Sequence, residues 1–169
     1  GVGINAGNPV SENNFPSGAV ENLLIDNIDY KSPITTGPWR APTSNFLAFA
    51  QQSFLDEVAL AAGKDPIMFR LELLEKARNT PVGSIKYNID RMETVIKTVA
   101  EKAGWGKKAG VFQGFSVYFS HSSYVAQICE VALEAGNPVV KKLDAVSDDG
   151  QGDILSGAGQ EVWEGGVEG

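Results

Sequence analysis

The sequence predicts an α+β fold, in which a helical hairpin and a third helix pack with a small, mostly antiparallel sheet. Two observations carry this expectation. Between Ser44 and Gly104, apolar residues recur at three- and four-residue steps, in runs punctuated by capping residues and glycines. From Val111 onward the texture changes to partial apolar–polar alternation interrupted by turn residues.

The opening segment is rich in Asn, Gly, Ser and Pro and reads as loop until ENLLIDNIDYK, where Leu23 to Tyr30 is expected to form a strand. From Ser44, the positions Phe46, Leu47, Phe49, Ala50, Phe54, Leu55, Val58, Ala59 and Ala62 mark one apolar face of a first helix. Gly63 is its stop, because glycine adopts the left-handed conformation that ends a helix without a Cβ penalty. Asp65 and Pro66 then supply a cap and a first-turn proline for a second helix through Leu74, with Met68, Leu71 and Leu74 at helical spacing. After a connection from Asn79 to Asn88, Asp90 is expected to cap a third helix whose stripe is Met92, Val95, Ile96 and Val99. Gly104 ends that helix and Trp105 packs under its end. Val111 to Leu133 reads as a hairpin turning near His121 to Ser123, and PVVKKLDAV adds a third strand after a Gly136–Asn137 turn. The chain divides on this reading into residues 1–106, loop, strand and helices, and residues 107–169, which are β-rich.

With 169 residues, 43% hydrophobic and 21% charged, the chain has the composition of a globular protein with one core. A net charge of −7 without any block of Lys and Arg argues against a nucleic-acid partner. No apolar run is long enough to span a bilayer as a helix, so no integral membrane segment is expected. One Cys and one His cannot build a zinc site or an iron–sulfur cluster, so no metal-ligating set is assigned. Cys129, inside VAQICEVAL, reads as a small core residue.

The strongest local signal is GPWRAP, Gly37 to Pro42. Pro38 and Pro42 each fix their own φ and bias the residue before them towards extended backbone, so Trp39 and Arg40 sit between two stiff points. A guanidinium held there offers a planar fork to a carboxylate, a phosphate or a carbonyl gathering charge. The alternative is a solvated arginine stacked on Trp39. His121, flanked by Ser120, Ser122 and Ser123, invites a serine-hydrolase reading, but no GxSxG elbow accompanies it. DDGQGD lacks the ordered ligand series of a calcium loop and reads as a solvated turn.

The run GPWRAPTSNFLAFAQQSFLDEVALAAGKDPIMFRLELL, together with GVFQGFSVYFSHSSYVAQICEV, resembles the molybdopterin-binding large subunit of the molybdenum hydroxylases, the xanthine dehydrogenase and aldehyde oxidase family. The likeness is closest to the isoquinoline 1-oxidoreductase beta-subunit branch. Gly37, Trp39 and Arg40 match its loop, Asp56 and Glu57 its acidic pair, Ala61 to Pro66 its turn, and His121 with Tyr124 to Glu130 its later strands. The resemblance runs from about Glu21 to Asp148 and weakens beyond, where Asp149 replaces a cysteine and Val162 a glutamine.

The resemblance implies that this chain is an internal piece of a larger molybdopterin-binding domain. The activity implied is hydroxylation of an N-heterocycle or aldehyde with water as the oxygen source. The cofactor would be molybdopterin with molybdenum, in a cytosine dinucleotide form, contacted by Gly37, Trp39, Arg40, Ala41 and His121. Arg40 would also stabilise substrate or transition state, while the family's catalytic glutamate belongs to a motif outside this sequence. The 2Fe-2S clusters would reside on a small partner subunit or domain, the substrate would be a small molecule, and the compartment is left open between bacterial cytoplasm and periplasm. The competing expectation is a non-catalytic α+β interaction or structural module.

Overall fold

A computed structural model describes residues 13–25, 33–35, 37, 40–41 and 44–150. It contains α1 (Ser44–Ala61), α2 (Pro66–Asn79), α3 (Ile89–Ala103), β1 (Phe112–Ser120), β2 (Ser123–Glu134) and β3 (Asn137–Asp148). The strands form one antiparallel sheet in the order β1-β2-β3. The α+β fold expected from the sequence is therefore observed.

The helix boundaries follow local chemistry. At the end of α1, Gly63 has φ +64, its N–H bonds Leu60 O at 3.0 Å and that of Lys64 bonds Ala59 O at 2.9 Å, which together form a Schellman closure. Asp65 caps α2, its Oδ1 accepting from the N–H groups of Ile67 and Met68, both at 2.9 Å. That helix continues past Leu74 to Asn79, and its inward stripe is Ile67, Arg70, Leu74 and Ala77, while Met68 is exposed. The cap of α3 is Asn88, not Asp90: Asn88 Oδ1 accepts from Arg91 N–H at 3.0 Å, which leaves Asp90 inside the first turn. The stripe Met92, Val95, Ile96 and Val99 is buried, and Gly104 at φ +65 ends the helix, both as the spacing predicts.

The expected face of α1 is corrected most. Only Gln52, Leu55 and Ala59 are buried along it, while Phe46, Phe49 and Phe54 are exposed. The apolar residues wrap too far around this helix for one neighbour to cover. Of the strand expected at Leu23 to Tyr30, Leu23, Leu24 and Ile25 form no strand, and the remainder lies outside the described residues.

The strands turn tightly. Ser120 pairs with Ser123 across His121 and Ser122, whose φ values are +51 and +65. Two consecutive positive φ values let a two-residue link follow the right-handed twist of the sheet. The second turn is Ala135–Gly136, one residue earlier than expected, with Glu134 opposite Asn137. Between Glu130 and Val131 the register shifts, leaving Lys141 without a cross-strand partner on the edge strand. A lysine in an edge irregularity discourages addition of another strand.

One face of the sheet carries Phe115 and Val117 from β1 with Tyr124, Ala126 and Ile128 from β2, all buried against α3. This core is continuous across residues 106 and 107. It also takes in Phe15, whose ring meets Tyr87 edge-on at 5.7 Å, so the chain around Phe15 is anchored as well. Gly18 permits that anchoring, because a Cβ there would sit 2.6 Å from Ile85 Cγ2, and φ is +86. Trp105 closes the far end, donating its indole N–H to Asp65 Oδ2 at 2.7 Å and meeting Phe115 edge-on.

Candidate functional site

The opposite face of the sheet is not covered by α3. Along β1, Ser116, Tyr118 and Ser120 project from it, and along β2, Ser123, Val125 and Gln127. Helix α1 lies beside the free edge of β1, and between helix and sheet face is an open cavity of about 600 Å3.

A buried arginine fixes that placement. Arg70, fully buried on α2, donates from Nε to Gln52 Oε1, from Nη2 to Gln52 O and from Nη1 to Pro66 O, each at 3.0 Å. Gln52 Oε1 also accepts from Val117 N–H at 3.3 Å, satisfying a donor on the sheet edge that no strand covers. Asp56 Oδ1 lies 2.8 Å from Arg70 Nη1 but makes no aligned hydrogen bond, so Coulomb attraction holds it there. The guanidinium also sits over the Phe115 ring at 5.3 Å. Burial pulls the Arg70 pKa down while Asp56 opposes the shift, and arginine starts high enough to stay charged. The acidic pair read from the sequence thus separates into Asp56, used structurally, and Glu57, exposed.

At the cavity mouth, Ser44 Oγ and Ser120 Oγ are 2.9 Å apart, and Ser120 Oγ is 2.8 Å from His121 Nδ1. This relay ties the first residue of α1 to the hairpin turn. Ala41, at φ +55, and His121, at φ +51, line the same cavity. His121 owes its positive φ to the hairpin turn, which leaves Ala41 as the position here where a non-glycine residue in the left-handed region costs of order 1–3 kcal/mol.

Of the residues singled out in the sequence, Ala41 and His121 are therefore brought together. Arg40 and Gly37 are exposed and neither lines the cavity. Trp39, Pro38 and Pro42 lie outside the described residues, as does the divergent tail after Gly150. No carboxylate accepts from His121 among the described residues, so Ser120 and His121 lack the third group that would orient a nucleophile pair. Cys129 is half-buried on the uncovered sheet face; burial, then Glu130, push its thiol pKa up, away from nucleophile behaviour.

Ser44, Gln52, Tyr118 and Gln127 were not singled out by sequence reasoning, whereas Ser120 was, as a neighbour of His121. Arg70 had a signal, since it occupies a core position between Ile67 and Leu74 on a helical repeat. Tyr118 and Gln127 had only strand alternation, which does not say which polar face will border a cavity.

The described wall suits some parts of the implied cofactor better than others. Its hydroxyls, amides and aromatic rings match a neutral heterocycle, but its charged members are the carboxylates Asp56 and Asp149, and no Lys or Arg is among the lining residues. A diphosphate does not fit there. Among the described residues no three His, Cys, Asp or Glu side chains gather as a metal-ligand set, and no described helix is long and apolar enough to cross a membrane. Comparison with family models, curated proteins and solved structures returns no match.

Proposed function

We propose that this chain is part of the molybdopterin-binding large subunit of a molybdenum hydroxylase that oxidises an N-heterocycle or an aldehyde with water as the oxygen source. The ordered motifs from Gly37 to Glu130 support this reading. The single observation that carries it furthest is spatial: the residue following Arg40 and the turn residue His121, 80 positions apart in sequence, border one cavity. In this reading the molybdenum cofactor supplies the redox chemistry. Its dinucleotide phosphates would have to be held outside this cavity, and iron–sulfur centres on a partner would accept the electrons. What this chain contributes is one wall: Ser44, Ser120 and His121 offer an adaptable hydrogen-bond chain, and Phe49 and Tyr118 supply ring contact.

The test uses the intact large subunit expressed with its iron–sulfur partner, assayed for molybdenum content and dye reduction. Arg40→Lys should lower kcat/KM by about 10- to 1000-fold at normal metal loading, because an ammonium lacks the planar two-donor fork. Arg40→Met keeps the side-chain stem and should lose at least as much. Full turnover in Arg40→Met would remove Arg40 from the chemistry. Stoichiometric molybdenum with dye-reducing activity in the 169-residue chain alone would defeat the reading of it as a part.

A further inference from the structure

We propose that the chain covers the cavity between α1 and the uncovered sheet face with its own sequence, docking Ile154 and Leu155 across Val125 and Tyr118 against Phe49. The wall offers apolar contact that water meets. Phe49 lines the cavity at 76% exposure, and Val125 and Tyr118 beside it are half-buried. Apolar surface of this kind gains free energy by being covered.

The place where the described chain ends selects the occupant. Arg91 holds Asp148 in place, donating from Nη2 to its carbonyl at 3.0 Å and from Nε and Nη2 to its carboxylate. Gly150, at φ +75, donates its N–H to Asp148 Oδ1 at 3.0 Å, and Asp149 between them lines the cavity. The chain therefore leaves β3 from a fixed point at the cavity. Gln151, Gly152 and Asp153 come next, and Ile154 and Leu155 are the first apolar pair beyond the exit.

Distance and charge both permit the docking. Ser147, Val125 and Tyr118 form one row across β3, β2 and β1. Two strand spacings, about 10 Å, separate the ends of that row, and the four residues from Gly150 to Ile154 reach about 14 Å when extended. So short a tether closes at little entropic cost and presents the pair at roughly millimolar effective concentration. Asp149 lies in the field of Arg91 and Asp56 faces Arg70, so the carboxylates of the wall are compensated and do not repel Asp153 strongly.

The docking requires neither molybdenum nor a partner subunit, so it stands or falls apart from the hydroxylase reading. NMR of the full 169-residue chain tests it. Methyl protons of Ile154 and Leu155 should show nuclear Overhauser contacts to the Phe49 and Tyr118 rings, and amide exchange at Leu155 should be about 10-fold or more slower than in an unstructured chain. Ile154→Ser combined with Leu155→Ser should shift the Val125 and Tyr118 amide signals. Phe49→Ala, which removes an exposed ring, should reduce the protection at Leu155 about threefold or more while α1 stays folded. Unstructured-chain methyl shifts and exchange rates at Ile154 and Leu155 would overturn the proposal. Contacts made by Val162 or Trp163 in their place, or contacts seen only between copies in a mixture of labelled and unlabelled chain, would overturn it as well.

Discussion

Asp65 joins two elements through two oxygens. Oδ1 caps α2 while Oδ2 accepts from the Trp105 indole, so the residue ties the start of one helix to the segment following another. From the cap alone, Asp65→Asn would be nearly harmless, because the asparagine oxygen also caps well. The Trp105 contact reverses that expectation, since an asparagine that keeps its oxygen on the cap turns an NH2 towards another donor. Asp65→Ala should cost about 1–2 kcal/mol, and Asp65→Asn should cost a comparable amount, read from urea midpoints at constant m-value. A neutral Asp65→Asn would show that the indole contact contributes nothing. Arg70 is the more consequential residue. Arg70→Met keeps volume but takes the counter-charge from Asp56 and a donor from Gln52 Oε1, and should cost about 3 kcal/mol. Gln52→Leu removes only one acceptor from that set and should cost less.

At the scale of elements, α3 is latched to the end of β3. Arg91 donates from Nε to Asp148 Oδ2 at 2.8 Å and from Nη2 to Oδ1 at 2.7 Å, while its guanidinium sits 4.5 Å above the Tyr124 ring. The hydrogen bonds from Arg91, then the N–H of Gly150, hold the Asp148 carboxyl down at about 2. A depressed folded-state value means that the contribution is present above the ordinary carboxylate range and is lost as pH falls from about 4 through 2. Partial exposure and solvent screening reduce it to roughly 1 kcal/mol. Asp148→Asn should therefore flatten the stability–pH curve over that window while leaving alkaline behaviour unchanged. Tyr87 works at the opposite limit: burial pushes its hydroxyl up to about 12, and it donates to Ser17 O. Stability from Tyr87 is complete below its ordinary value near 10 and is lost as pH rises towards 12, a loss that Tyr87→Phe should abolish.

Across the whole molecule, apolar burial is uneven. The α3 face of the sheet is closed, whereas α1 turns Phe46, Phe54 and Leu60 outward at 57%, 64% and 80% exposure. Such a surface favours association in water. The 169-residue chain should bind a hydrophobic dye and self-associate with rising concentration. Combined Phe46→Ser and Phe54→Gln substitution should suppress both and cost less than about 1 kcal/mol in stability, because neither ring is buried. Sedimentation velocity and thermal melts on the same samples separate the two effects. A large fall in stability would mean that these rings pack more than their exposure indicates.

How much of this was legible in advance differs by element. The sequence by itself determined what depends on near neighbours along the chain: the stops at Gly63 and Gly104, the Asp65 cap, the α3 stripe and the hairpin about His121. Those features are set by backbone φ preferences, local hydrogen bonds and periodicity. The cap of α3 moved from Asp90 to Asn88 because both side chains can cap and only the actual start of the helix chooses between them. Tertiary structure alone decided which face of α1 is buried, since its apolar residues nearly encircle it and the Arg70–Gln52 contact, not hydrophobic count, fixes its rotation. It also decided the site. Ala41, Ser44, Ser120 and His121 meet because a helix start and a hairpin turn are docked against each other, and the physics of docking acts between residues that no sequence spacing relates.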